Sequence, residues 1–133
     1  MRKFLLYIIT FLILTNSQGN CSNCKLARIT FYYPGEDSYG YATSTGTRLR
    51  PWKTCAVDPD YIPYFSTVHI TELDLDVKAI DSGTDVIRRK ASKQDGKTYS
   101  ERHALVIDIP VRSKTEYLVW EKKPALYSEI TWE

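Results

Sequence analysis

Apolar positions along this chain recur with a period of two, in short runs, more often than with a helical period. Ala27, Ile29, Phe31 and Tyr33 alternate with Leu26, Arg28, Thr30 and Tyr32, the pattern of a strand with one buried face. Leu73, Leu75, Val77 and Ala79 form a second apolar face against Asp74, Asp76 and Lys78. Leu105, Ile107, Ile109 and Val111 form a third, with Val106 and Asp108 opposite. Residues 65–71 read as a further strand with His69 facing solvent. Pro34-Gly35 ends the first run, and the polar, Gly/Ser/Thr-rich stretch 35–50 predicts a long loop or ragged hairpin. Residues 84–103 are basic and carry the turn signal Asp95-Gly96. They predict a short helix and a loop whose charges are either solvated or form a rim for an anionic polymer. Ser113-Lys114-Thr115-Glu116 is a capping-box pattern, predicting a short helix over 114–122 that Pro124 stops. The tail 125–133 is apolar enough, in Leu126, Tyr127, Ile130 and Trp132, to pack back on the body.

Three aspartates interrupt these runs: Asp58 in Ala56-Val57-Asp58-Pro59, Asp81 in Ala79-Ile80-Asp81-Ser82-Gly83, and Asp108 in Val106-Ile107-Asp108-Ile109-Pro110. A lone carboxylate is rarely buried in such surroundings without a partner or a task. Asp58-Pro59 reads as a turn start, because Asp bonds its own backbone and Pro presets the next angle. One further step along the apolar face of 73–79 reaches Asp81, which points this carboxylate inward at a strand end. Asp108 has apolar neighbours, and reduced hydration raises a carboxyl pKa from its reference of about 3.9. That is what a general acid needs to stay protonated near neutral pH. Pro110 cannot donate to a ladder, so the strand is expected to end or bend beside Asp108.

The 133 residues suffice for one domain. Arg2 and Lys3, the apolar run Phe4–Leu14 and the small residues of Ser17-Gln18-Gly19 read as a secretory signal over 1–19, leaving 20–133 as the domain. The apolar run is too short for a comfortable membrane span, so none is expected after processing. Without Arg2 and Lys3 the chain carries 16 basic and 16 acidic residues, which argues against nucleic-acid binding. Export permits disulfides, and one between Cys55 and either Cys21 or Cys24 is expected. No His or Cys at supporting spacing suggests a metal or a nucleophilic triad, and no cofactor is expected. Arg48 and Arg50, one strand period apart, can bind an acidic partner or brace a carboxylate of their own domain.

Taken in order, Thr30-Phe31-Tyr32, Leu49-Arg50-Pro51 after Gly46, Ala56-Val57-Asp58-Pro59 with Ile62-Pro63, Ala79-Ile80-Asp81-Ser82-Gly83 and Val106-Ile107-Asp108-Ile109 resemble the three-aspartate (3D) domain. That family includes the catalytic barrel of MltA-type lytic transglycosylases. The resemblance implies a mainly β fold, a six-stranded double-psi β-barrel with one or two short helices. It implies cleavage of peptidoglycan glycan strands at glycosidic bonds, in the periplasm, at the outer membrane or outside the cell. By position Asp108 matches the catalytic acid, Asp81 its carboxylate partner and Asp58 the structural member. Arg48, Arg50, Arg88 and Tyr32 are the expected substrate-binding residues. The sequence departs from the family where Thr84-Asp85-Val86-Ile87-Arg88 follows Ser82-Gly83, leaving Arg88 as the nearest counterpart of a family lysine. The competing reading is a non-catalytic polysaccharide-binding barrel of the expansin or barwin type.

Overall fold

A computed structural model of the chain describes residues 23–133. The expected signal segment and Cys21 lie outside the described residues. Six strands close into a barrel: β1 (Cys24–Tyr32), β2 (Thr54–Ala56), β3 (Thr67–Ile70), β4 (Leu75–Asp81), β5 (Leu105–Pro110) and β6 (Leu126–Trp132). Their order around the barrel is β1-β5-β2-β4-β3-β6. β1 runs parallel to β5 and β2 parallel to β4, while β2/β5, β3/β4, β3/β6 and β1/β6 are antiparallel. Closure pairs every strand on both sides and leaves no open edge. Among the described residues no helix is long and apolar enough to cross a membrane.

The alternation read from the sequence fills the interior. Ala27 and Ile29 from β1, Val77 and Ala79 from β4, Ile107 and Ile109 from β5 and Ile130 from β6 are fully buried in one cluster. β-branched side chains dominate, as suits pleated surfaces packed on both sides. The tail is therefore more than apolar packing: as β6 it bridges β1 and β3 and closes the barrel. β2 has only three residues and no alternation long enough to announce it.

Among the described residues four short α-helices lie outside the barrel. The basic segment holds three of them, not one: α1 (Thr84–Ile87), α2 (Lys90–Asp95) and α3 (Tyr99–Arg102). α3 starts on a full capping box, with Thr98 and Glu101 satisfying each other's backbone N–H. Gly96 ends α2, where a side chain would collide with the Arg102 backbone nitrogen 2.6 Å away. α4 (Lys114–Glu121) matches the predicted helix. Its Ser113 hydroxyl accepts from the Glu116 N–H, but the Glu116 carboxylate turns to the Arg112 N–H and the Trp52 indole. Phe31, Trp52 and Trp120 form a ring cluster that ties α4 to the barrel, with Phe31 and Trp120 stacked at 4.5 Å.

The expected disulfide to Cys55 is not formed. Cys55 is a free thiol on β2, at the centre of the buried cluster, while Cys24 is disulfide-bonded without it. Cys55 alternates inward with the core face of β2, where burial and the Asp108 carboxyl push its thiol pKa far up. It is a core residue, not a nucleophile.

Candidate active site

Register brings two of the three aspartates, Asp81 and Asp108, to one face of the sheet. Thr30 on β1 pairs with Asp108 on β5, Asp108 pairs with Ala56 on β2, and Ala56 pairs with Asp81 on β4. Cross-strand partners share a face, so Thr30, Asp108, Ala56 and Asp81 form one row across the outside of the barrel. Asp108 and Asp81 are two strand spacings apart, roughly 10 Å between Cα atoms. The residue between them is Ala56, buried in a small cluster with Val86 and Val106.

Asp81 does not continue the inward face, contrary to the alternation. The β2/β4 ladder shifts between Cys55 and Ala56, so Cys55 pairs with Ala79 but Ala56 pairs with Asp81. This one-residue bulge buries both Ala79 and Ile80 and turns Asp81 to the outer side beside Asp108. Bulges re-aim side chains in this way and are common next to active sites. One Asp81 oxygen, Oδ1, accepts from the Ser44 N–H at 2.9 Å, the Ser44 hydroxyl at 2.7 Å and the Ser82 N–H at 2.9 Å. The Thr45 hydroxyl donates to the neighbouring Ile80 carbonyl at 2.7 Å. Asp81 thus pins the 35–50 loop, which contains no strand, to the end of β4.

Asp108 is partly buried, its face of β5 covered by α1 and α2 through a small cluster of Val86, Ala56, Val106 and Ala91. Burial is the largest influence on its carboxyl and raises the pKa to about 7, with Glu36, Asp81 and Asp85 adding to the rise. The Thr30 hydroxyl opposes this by donating a 2.8 Å hydrogen bond to Oδ1. Thr30→Val removes the donor that favours the charged form. The Asp108 titration is then expected to move above about 7, a change that carboxyl NMR across the pH range would read directly. An unchanged midpoint would mean the hydroxyl does not tune the acid.

These groups line a groove of about 590 Å³ together with Glu36, Asp37, Ser82, Gly83 and residues of α1 and α2. Tyr32 lines it as well, and its hydroxyl is held protonated far above the ordinary range by burial and by the Asp108 and Asp81 carboxyls. The groove shares walls with a hollow that reaches Tyr39 and, on the other side, with one that reaches Trp120. It is acidic: Glu36, Asp37, Asp81, Asp85 and Asp108 face one cation, Lys90, whose ammonium lies 3.7 Å from Asp85. Among the described residues no group of three or more His, Cys, Asp or Glu has the arrangement of a metal site.

The other expected residues are elsewhere. Asp58 is buried and caps a turn, accepting the Asp60 N–H on Oδ1 at 3.0 Å while its carbonyl takes the Tyr61 and Ile62 N–H groups. Arg48 and Arg50 are exposed on the loop and do not line the groove. Arg48 lies over the Tyr41 ring at 4.5 Å, and among the described residues neither arginine forms an ion pair. Without a strand there, nothing fixes the two on one face. Arg88 is exposed and lines a different hollow, because α1 turns it away from the side carrying Val86. The cation that α2 presents to the groove is Lys90, two positions on. Glu36 and Lys90 carry no local sequence signal: one sits in a polar loop, the other is one of six Lys and Arg residues scattered over 84–103. His69 stands on the solvent side of β3 with its ring nitrogen 2.7 Å from Asp76. No protein-family model matches this chain, and no curated protein matches it either.

Proposed function

We propose that this chain is a secreted enzyme of the three-aspartate type that cleaves glycosidic bonds of peptidoglycan, with Asp108 as its acid. The observation that carries this reading is a carboxyl held to a pKa of about 7 on the wall of an open groove, two strands from a second carboxylate. Paired carboxyls are the usual means of breaking a glycosidic bond. The two parallel pairs, β1/β5 and β2/β4, support assigning the barrel to the double-psi class. The acidic lining suits a hydroxyl-rich sugar, which donates hydrogen bonds to carboxylates. Tyr39, exposed in a flanking hollow, offers a ring for an adjacent sugar.

In this reading protonated Asp108 gives its proton to the glycosidic oxygen as the bond from C1 breaks. Positive charge develops at C1, and the field of Glu36, Asp81 and Asp85 stabilises it. The Asp108 carboxylate then takes the proton from the sugar's own 6-hydroxyl as that oxygen bonds to C1. One proton leaves Asp108 and one returns, no water is consumed, and the product carries a 1,6-anhydro end. Asp81 acts through its field and by holding the 35–50 loop against the groove.

The test is digestion of purified peptidoglycan by the wild-type protein and by Asp81→Asn, with products identified by mass. Anhydro-ended muropeptides from the wild type, formed more slowly by Asp81→Asn, are expected. Reducing ends would make water the nucleophile. Wall binding without any product would sink the enzyme and leave a polysaccharide-binding barrel.

A further inference from the structure

Residues 20–133 are balanced in charge, yet the helices separate the two signs. α1 and α2 present Val86, Lys90, Ala91 and Gln94 to the acidic groove. From the same helices Ile87, Arg88, Arg89 and Lys93 face a second hollow of about 480 Å³, which Arg102 and Tyr61 help to line. No carboxylate lines it. Among the described residues none of Arg88, Arg89, Lys93 and Arg102 forms an ion pair, whereas Arg28 and Lys90 pair with Asp95 and Asp85.

Four unpaired cations around one hollow repel each other, and a multiply charged anion relieves that repulsion. Two are held in place by contacts that leave their charge uncompensated. Arg89 donates to the His103 carbonyl at 2.8 Å and lies over the Tyr61 ring at 4.9 Å. Arg102 donates to the Lys97 carbonyl at 3.0 Å. Guanidinium forks match phosphate oxygens in geometry. Tyr61 and Ile87 are nearly half exposed at the same hollow, so its lining is apolar as well as cationic, which suits an anion bearing an organic body better than a bare ion.

We propose that this hollow is a binding site for a phosphate ester, separate from the aspartate groove and independent of what that groove does. The ester's phosphate would sit among Arg88, Arg89, Lys93 and Arg102 and its organic part against Tyr61 and Ile87.

The test titrates the purified protein with inorganic pyrophosphate by calorimetry at low ionic strength. In parallel it measures sedimentation with phosphatidylcholine vesicles that contain or lack phosphatidylglycerol. Arg88 and Lys93 are exposed and hold no hydrogen bond that the fold needs, so the variant is Arg88→Gln with Lys93→Gln. Lys114→Gln with Lys122→Gln, exposed on or beside α4, removes the same charge elsewhere. The expected result is wild-type binding that salt weakens, lost by roughly tenfold or more in the hollow variant and changed by less than about twofold in the α4 variant. Hollow-dependent binding of pyrophosphate alone assigns the phosphate of a soluble ligand and excludes a lipid headgroup. Hollow-dependent binding of phosphatidylglycerol vesicles, with or without pyrophosphate, assigns a lipid headgroup. Equal loss in both variants, or no wild-type binding to either probe, overturns the site.

Discussion

Asp108→Asn is expected to lower peptidoglycan cleavage by about 10²–10⁴-fold, the contribution of a positioned general acid, and at the same time to make the protein more stable at pH 8. The two effects share one cause. In the folded chain the Asp108 carboxyl keeps its proton up to about 7, whereas in the unfolded chain it releases it near the reference of about 3.9. Between these values the folded state binds more protons than the unfolded one, so stability falls as pH rises through that window and levels off above it. The full shift corresponds to up to about 4 kcal/mol, a ceiling because Asp108 keeps some contact with solvent. Asn cannot ionise, so the variant should lose this dependence and gain most where the wild type is charged. Urea unfolding of both proteins between pH 4 and pH 8 checks it, with wild-type cleavage falling as pH rises through about 7. Parallel stability curves for the two proteins would refute a raised Asp108 pKa. A parallel loss of fold and activity would assign Asp108 to structure instead.

The second large effect is expected at Trp52, outside the aspartate groove. Trp52→Ala should destabilise the protein by about 3 kcal/mol, the lower end for a large aromatic because the side chain is only partly buried. That is roughly 10–15 °C in melting temperature for a domain of this size. The substitution removes the ring contacts to Phe31 at 5.7 Å and Trp120 at 5.7 Å and the 2.7 Å hydrogen bond from the indole N–H to Glu116. Those contacts hold α4 on the barrel, so its amides should exchange with solvent earlier than those of β1 and β5. Because Trp120 lines a hollow that adjoins the groove, substrate affinity should weaken with little change in the rate of the bound complex. Trp52→Phe keeps most of the ring packing and should recover more than half of the lost stability. A loss below about 1 kcal/mol in Trp52→Ala would show that the cluster does not anchor the helix.

Much of the barrel is legible in the amino-acid sequence. Period-two alternation in 26–33, 73–79 and 105–111 named the inward residues of β1, β4 and β5, because those strands are long enough to repeat the pattern. Ser113 and Glu116 announced α4 for a local reason, since capping involves residues three apart. Asp58 read correctly as a turn residue on the same ground. β2 was invisible, as three residues display no period, and the tail's apolar residues did not reveal that it would pair on both sides. The basic segment showed its charge but not its three helices, which are short enough that packing against the barrel decides them.

The site divides along the same line. The sequence by itself determined that Asp108 would stand opposite the core face of an apolar strand, and hence that its proton would be hard to remove. Only the tertiary structure decided which groups would surround it. The bulge at Cys55/Ala56 carried Asp81 from the inward face to the outer one, and alternation inside β4 cannot signal a shift imposed by its neighbour. The pairing of β1, β5, β2 and β4 set Thr30 against Asp108 and placed Ala56 between the carboxyls. The turn of α1 sent Arg88 to the far hollow and left Lys90 at the groove. Each of these depends on contacts between residues distant in the chain, whereas local sequence records only which face of its own element a residue occupies.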